Sequence, residues 1–290
     1  MQSILEPRPS SSRAIPVRRL DVDMGALTDA DWIVEDDPVF SHFMATLSAV
    51  FPRGEEFFVA TVREHRAVAG SDPVLKAQIK AFAGQEAMHG RQHRALNSAL
   101  GAGGYRTAKA ERDIGRRLDA IMKLRPRTLP LAVTAGSEHL TGILAESVLS
   151  HRRTRQILLS DPRTEPLLTW HSLEELEHKN VAFDVLARSG AGYPVRVAGF
   201  AIAVGVLGGY VLREWAAAVV SDRGRIRPRH LPVFVGHLRR QKMLSLWSLR
   251  RTARYLRPGF HPDDMDTEAL VEEWRARLAR VTTVTAGMRD

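Results

Sequence analysis

Apolar positions recur at helical spacing along most of this chain, and the strict alternation of a half-buried strand is hard to find over any useful length. An almost all-helical protein is the expectation. From Pro38 the pattern turns helical, with Pro52 and Gly54 in "FPRGEE" predicting the end of one helix and the start of another. The stretch "SDPVLKAQIKAFAGQEAMHGRQHRALNSAL" offers Ser71 or Asp72 as N-cap and Pro73 at the first helical position, followed by a long run without strong breakers. A third helix is expected from about Leu131 to Arg153. A fourth begins after "SDPRTEP" and runs to about Arg188, where "SGAGYP" stops it. These four segments predict a helical bundle.

The flanks differ in character, which suggests three regions: an irregular arm over 1–37, the bundle over 38–190, and a C-terminal region over 191–290. The arm carries Pro7, Pro9 and Pro16 with the serine run Ser10, Ser11 and Ser12, then the acidic stretch "DADWIVEDDP", and its start is expected to be poorly ordered. Val197 to Leu212 is sixteen residues of apolar, Tyr or Gly type, short of the roughly 20 that cross a hydrocarbon core. A buried core helix is the first expectation there, and a membrane-embedded or interfacial helix the second. Near the end, "HPDDMDTEALVEEWRARLARV" reads as Asp and Thr caps before an amphipathic helix with Leu270, Trp274, Leu278 and Val281 on one side.

Charge sharpens the reading of that last region. The formal net charge is +9, yet Arg223 to Arg257 alone holds eleven Lys/Arg and no Asp or Glu. Such a block favours an anionic partner. No zinc finger or aromatic RNA-binding pair accompanies it, so no nucleic acid is expected, and anionic lipid met through residues 197–257 is the preferred partner. Cysteine is absent. That excludes disulfides and thiolate metal sites and leaves histidine and carboxylate as transition-metal ligands. Without an apolar leader before a cleavage site, the expected location is cytoplasmic, peripheral at the inner face of the membrane.

Candidate chemistry concentrates in "WHSLEELEHKNVAFDV", where His171, Glu175 and His178 are spaced four and three residues apart and share one helix face. Leu167, Leu168, Ala182 and Val185 place that face toward a core. Ionisable groups there are costly unless something compensates them, and a bound cation would. A second Glu-x-x-His, Glu86 and His89, continues the apolar stripe of Leu75, Ile79 and Phe82. Proteins that hold two metals among four helices use two such pairs plus a single Glu from each remaining helix. Glu138 is the only carboxylate on the face of Leu131, Thr134, Ala135, Gly142, Ala145 and Leu149, and Glu55 lies on a more apolar face than Glu56. Four carboxylates neutralise two divalent ions, with iron expected and manganese or zinc compatible. His171 is an added ligand candidate.

The stretches "SHFMATLSAVFPRGEEFFVATVR", "GQEAMHGRQH", "TAGSEHLT" and "WHSLEELEHKNVAFDV", with "GFHPDD" further on, resemble the bacterial family labelled predicted metal-dependent hydrolase, over about Val17 to Trp274. The His-x-x-x-Glu-x-x-His pattern alone is similar to the ferritin-like di-iron N-oxygenases that oxidise arylamines. That similarity implies Glu55, Glu86, His89, Glu138, His171, Glu175 and His178 as metal ligands. His93, His139, Glu56, Glu174 and Glu177 are candidates for groups that orient the ligands, while His42 packs beside Phe40 and Phe43. Capping accounts for the aspartates after His261.

The leading expectation is therefore a ferritin-like four-helix bundle with a dinuclear metal site and extra C-terminal helices. It would activate dioxygen to oxidise a small, lipophilic substrate, drawing on an electron donor. Hydrolysis by a metal that lowers the pKa of bound water is the alternative. A non-enzymatic iron-binding or membrane-associated protein is the third reading, and a homodimer is left open.

Overall fold

The computed structural model describes residues 14–20 and 32–287, with side chains described as far as residue 279. It is all-helical, and no β-strand occurs among the described residues. The expected disorder at the start of the arm falls on residues 1–13, outside the described residues, as does the side chain of Val281.

Helix α1 spans Pro38–Glu64, with the Asp37 side chain accepting from the Phe40 backbone N–H at its start. It runs through Pro52 without interruption, so the expected break at "FPRGEE" is absent. Gly54 does not take a left-handed conformation, and burial of both halves of the helix outweighs one missing N–H. Helix α2, Pro73–Ala102, is capped by Asp72, whose carboxylate accepts from the N–H groups of Val74 and Leu75. Helix α3, Thr107–Ile121, is an addition to the expected set; its charged surface masks a narrow apolar stripe of Ala110, Ile114, Leu118 and Ile121. Helix α4 covers Thr128–Ser150 and the short α5 Arg152–Leu158. The fourth expected helix is two: α6, Glu165–His178, and α7, Val181–Arg188, separated at Lys179 and Asn180.

Two apolar clusters lie at opposite ends of this assembly and give the helix directions. Helix α1 begins in a cluster containing Phe40, Leu96, Leu149 and Leu173, and ends in one containing Phe57, Phe82, Leu131 and Val185. Helices α2 and α4 run from the second cluster to the first, while α6 followed by α7 returns as α1 does. Consecutive α2 and α4 therefore point the same way, and the connection containing α3 must travel back along the bundle. Helix α1 packs on α2, α4 on α6, and α3 covers α1. Glu55 and Glu86 fall where α1 and α2 pass between the two clusters, and Glu138 and Glu175 lie within two turns of the same changeover on α4 and at the end of α6.

The C-terminal region wraps this body. Helix α8, Tyr193–Ile202, continues through a π-helical turn, Ala203–Gly208, into α9, Gly209–Ser221. Only 28% of its apolar window is buried, so the expected buried core helix is corrected. Length and composition would let this segment cross a membrane, but contacts along it tie it to the protein. Gly199 lies against the Ala132 backbone, so close that a Cβ would come within 2.5 Å of it. The Tyr210 hydroxyl donates to Ala110 O, and Trp215 Nε1 donates to Val39 O. Helices α10, His230–Arg240, and α11, Leu246–Arg254, follow, and α12 spans Glu268–Gly287.

Candidate metal centre

Helical spacing places the converging side chains. Positions 86 and 89 lie one turn apart on α2, and 171, 175 and 178 share one face of α6. Glu55 comes from α1 and Glu138 from α4. All seven are buried, none more than 5% exposed. His171 Nε2 lies 2.8 Å from Glu175 Oε1 and 4.0 Å from Glu55 Oε1. His178 Nε2 lies 3.2 Å from Glu86 Oε1, 3.3 Å from Glu138 Oε2 and 3.6 Å from Glu175 Oε1. His89 Nδ1 faces Glu86 Oε2 at 3.7 Å and Glu175 Oε1 at 3.8 Å. Donor atoms of Glu86, Glu175 and His178, and of Glu55, Glu86 and His89, lie within 4.8 Å of one another, so each trio can share a cation.

The donors fit metal ions by what they lack. Both oxygens of Glu55, Glu86 and Glu138, with Glu175 Oε2, His89 Nδ1 and His178 Nε2, are buried without a hydrogen-bond partner. Unpaired buried polar atoms on this scale are costly, and a site that collects them is built for something not made of protein. Among the described residues no Lys or Arg forms an ion pair with these four carboxylates. Protons supply the positive charge instead. Burial, then the charge of Glu86, pushes Glu138 up to about 8, and the same causes raise Glu55 well above the usual carboxylate range. Burial opposes charge on His89, yet the hydrogen bond to Glu174 and the facing carboxylate of Glu86 raise it to about 10.

A surrounding layer fixes the imidazoles. Gln85 Nε2 donates to Glu177 Oε2 at 3.0 Å and Pro16 O at 2.9 Å. Its Oε1 therefore faces His178 Nδ1, at 2.9 Å, and accepts from it, which leaves Nε2 for the carboxylates. Glu174 Oε2 accepts from His89 Nε2 at 3.2 Å, and Glu174 Oε1 accepts from Trp170 Nε1 at 3.0 Å. Ser48 Oγ, His93 and His171 form a chain, with 2.9 Å from Ser48 Oγ to His93 Nδ1 and 2.7 Å from His93 Nε2 to His171 Nδ1. Burial and then the neighbouring His171 hold His93 well below the ordinary imidazole value. It is thus a neutral ring beside a ligand candidate.

The remaining candidates separate. Glu174 and Glu177 are fully buried and bonded to Arg18, with Glu177 also held by Arg275, so both stand behind the centre. Glu56 is solvent-exposed and pairs with Arg53 and Arg94, which corrects its expected role. His139 is corrected too: it points away into Phe200, Tyr255 and Phe260, with Nε2 donating to Arg251 O. His42 packs as a buried ring, but its ring contacts are with Trp32 and Tyr105 where Phe40 and Phe43 were expected, and it bonds Asp222. His261 and Asp264 cap a short turn, with His261 also bonded to Asp184. Arg18 and Gln85 are additions that sequence reasoning misses. Gln85 sits one position before Glu86 with no local mark of its partner, and Arg18 lies in the irregular arm.

Two hollows reach the centre. One, about 60 Å³, touches His171 and Glu175 and is otherwise walled mainly by apolar groups including Leu47, Phe51, Leu144, Leu168 and Met243. The other, about 270 Å³, reaches Glu55 and Glu86 beside Gly90, with Arg63 and Arg94 at its rim. A family model described as predicted metal-dependent hydrolase matches residues 16–266, and the chain belongs to that family. No curated protein and no solved structure matches it.

Proposed function

We propose that this member of the predicted metal-dependent hydrolase family holds two divalent metal ions, iron by preference, and uses them to activate dioxygen against a small, lipophilic substrate. The ligands would be Glu55, Glu86, His89, Glu138, His171, Glu175 and His178. The observation that carries the reading is the donor set: four buried carboxylates and three imidazoles, reached through the hollow at His171 and Glu175 by a mainly apolar wall. Such a wall admits dioxygen and apolar molecules more readily than ionic ones. Oxygen and nitrogen ligands without thiolate suit iron or manganese. The return connection between parallel α2 and α4 supports a ferritin-like topology.

Held by these seven residues, a redox-active pair would supply electrons for dioxygen, to be restored by a separate electron donor. The protein's own part is positional. Gln85 and Glu174 present His178 and His89 in fixed orientations. Phe51, Phe82 and Trp170 pack their rings against His171, His178 and His89 and keep bulk water out.

The family description supports a second reading, hydrolysis, over oxygen activation. In that case the ions would be redox-inert and would activate water. The test is elemental analysis of protein made with iron, manganese and zinc available, followed by oxygen uptake after reduction. About two irons per chain and stoichiometric oxygen uptake support the oxidase. Bound zinc, with ester or amide cleavage unchanged under anaerobic conditions, establishes the hydrolase and removes the oxidase.

A further inference from the structure

Helices α8 to α11 form an outer layer whose composition no interior contact explains. Phe200 of α8 stacks on Tyr255 just beyond α11, and Trp215 of α9 packs on Phe234 of α10. Several large apolar side chains of this layer meet solvent. Leu212 is 54% exposed, Val220 65% and Leu231 61%. On α11, Leu246 and Leu249 are 59% and 63% exposed and share a face with exposed Ala253. Arg250 and Arg254 stand beside that stripe, both exposed, and neither pairs with a carboxylate among the described residues. The same holds for Arg239 and Arg240 at the end of α10.

We propose that this layer docks on an anionic lipid surface, with the leucines of α11 seated among the acyl chains and the arginines on the headgroups. A helix with exposed leucine on one side and arginine at its flanks has the makeup of an interfacial helix. The sign of the charge selects the lipid: eleven Lys/Arg and no acid between Arg223 and Arg257 attract anionic headgroups. The docked face also adjoins the metal centre. Met243, three residues before Leu246, lines the apolar hollow that touches His171 and Glu175. Resting on the proposed function, the substrate class is then a bilayer-soluble molecule entering beside Met243 without passing through water.

The test is co-sedimentation of the full, metal-loaded chain with vesicles of phosphatidylcholine, with and without phosphatidylglycerol, across a salt series. Binding is expected only with phosphatidylglycerol and should weaken as salt rises. The double substitution Leu246→Glu and Leu249→Glu should lower partitioning by on the order of tenfold or more. Arg112→Glu, on exposed α3, changes the net charge equally and should have little effect. Metal content and helicity of each variant confirm an intact fold. Absence of vesicle binding overturns the proposal, as does equal loss in both variants. A wild-type dimer that the leucine substitutions dissolve, with no vesicle binding, assigns the face to a second copy instead. None of these outcomes depends on oxygen chemistry, so docking and the proposed reaction fail separately.

Discussion

Replacing Gln85 by leucine tests how the histidines of the centre are held. Gln85 makes three bonds: Nε2 to Glu177 and to Pro16 O, and Oε1 from His178 Nδ1. Leucine keeps most of the volume and removes all three. Glu177 retains Arg18 and Arg275, so its charge stays compensated, and the cost to the fold is mainly the Pro16 carbonyl and the His178 N–H left without a protein partner, about 1–3 kcal/mol each. The larger consequence falls on His178. Without an acceptor at Nδ1 its ring turns more freely and its proton is no longer confined to that nitrogen, so the Nε2 lone pair is presented to the carboxylates only part of the time. Loss of such an orienting group lowers metal affinity about 10–100-fold, equivalent to about 1.4–2.8 kcal/mol. Affinity is measured by competition with a chromogenic chelator, and the stability of the metal-free variant by calorimetry, so the two effects are read apart. A folded Gln85→Leu protein that binds iron as tightly as the wild type refutes the orienting argument.

Three further outcomes follow from the geometry. Glu138→Gln should reduce metal content from about two ions per chain toward one while leaving the metal-free protein at least as stable, because a buried carboxylate with no hydrogen-bond partner is replaced by a neutral amide; unchanged metal content removes Glu138 from the ligand set. His42 is held below its ordinary value by burial, against the pull of Asp222. The unfolded chain then takes up the proton first as pH falls, so His42 contributes stability fully above about pH 6.5 and loses it below; thermal melts of His42→Gln should show a shallower acid slope than wild type, and parallel slopes would contradict this. Gly199→Ala should lower the melting temperature by several degrees, about 1–3 kcal/mol or more, since its Cβ would meet Ala132 backbone atoms at 2.5 and 2.8 Å. Gly205→Ala, with open space around it, serves as the control and should be neutral or slightly stabilising by calorimetry.

Much of the centre is legible in the sequence, because helical spacing is local. Three and four residues between His171, Glu175 and His178 put them on one face whatever the helix packs against, and the same holds for Glu86 and His89. The apolar residues leading into each pair mark that face as buried, and the absence of cysteine narrows the ligand chemistry. Helical phase favours Glu55 over Glu56. The structure agrees, turning Glu55 inward and Glu56 to Arg53 and Arg94, even though the helix break expected beside them does not exist.

Other features depend on partners far away in the chain, and no local pattern carries them. Arg18 meets Glu174 and Glu177 from more than 150 positions away, and Gln85 gains its role only because His178 arrives opposite it. His139, next to a ligand candidate, turns outward since adjacent residues on a helix point about 100° apart. The apolar run over 197–212 reads as core by composition, yet packing leaves most of it facing solvent. Most of the helices and the buried ionisable faces follow from spacing within a few residues, and the class of ligand atom from the lack of cysteine. Tertiary structure alone decided which ends meet, which imidazole nitrogen is presented and which apolar surface stays uncovered, because each depends on long-range contacts that only the folded chain makes.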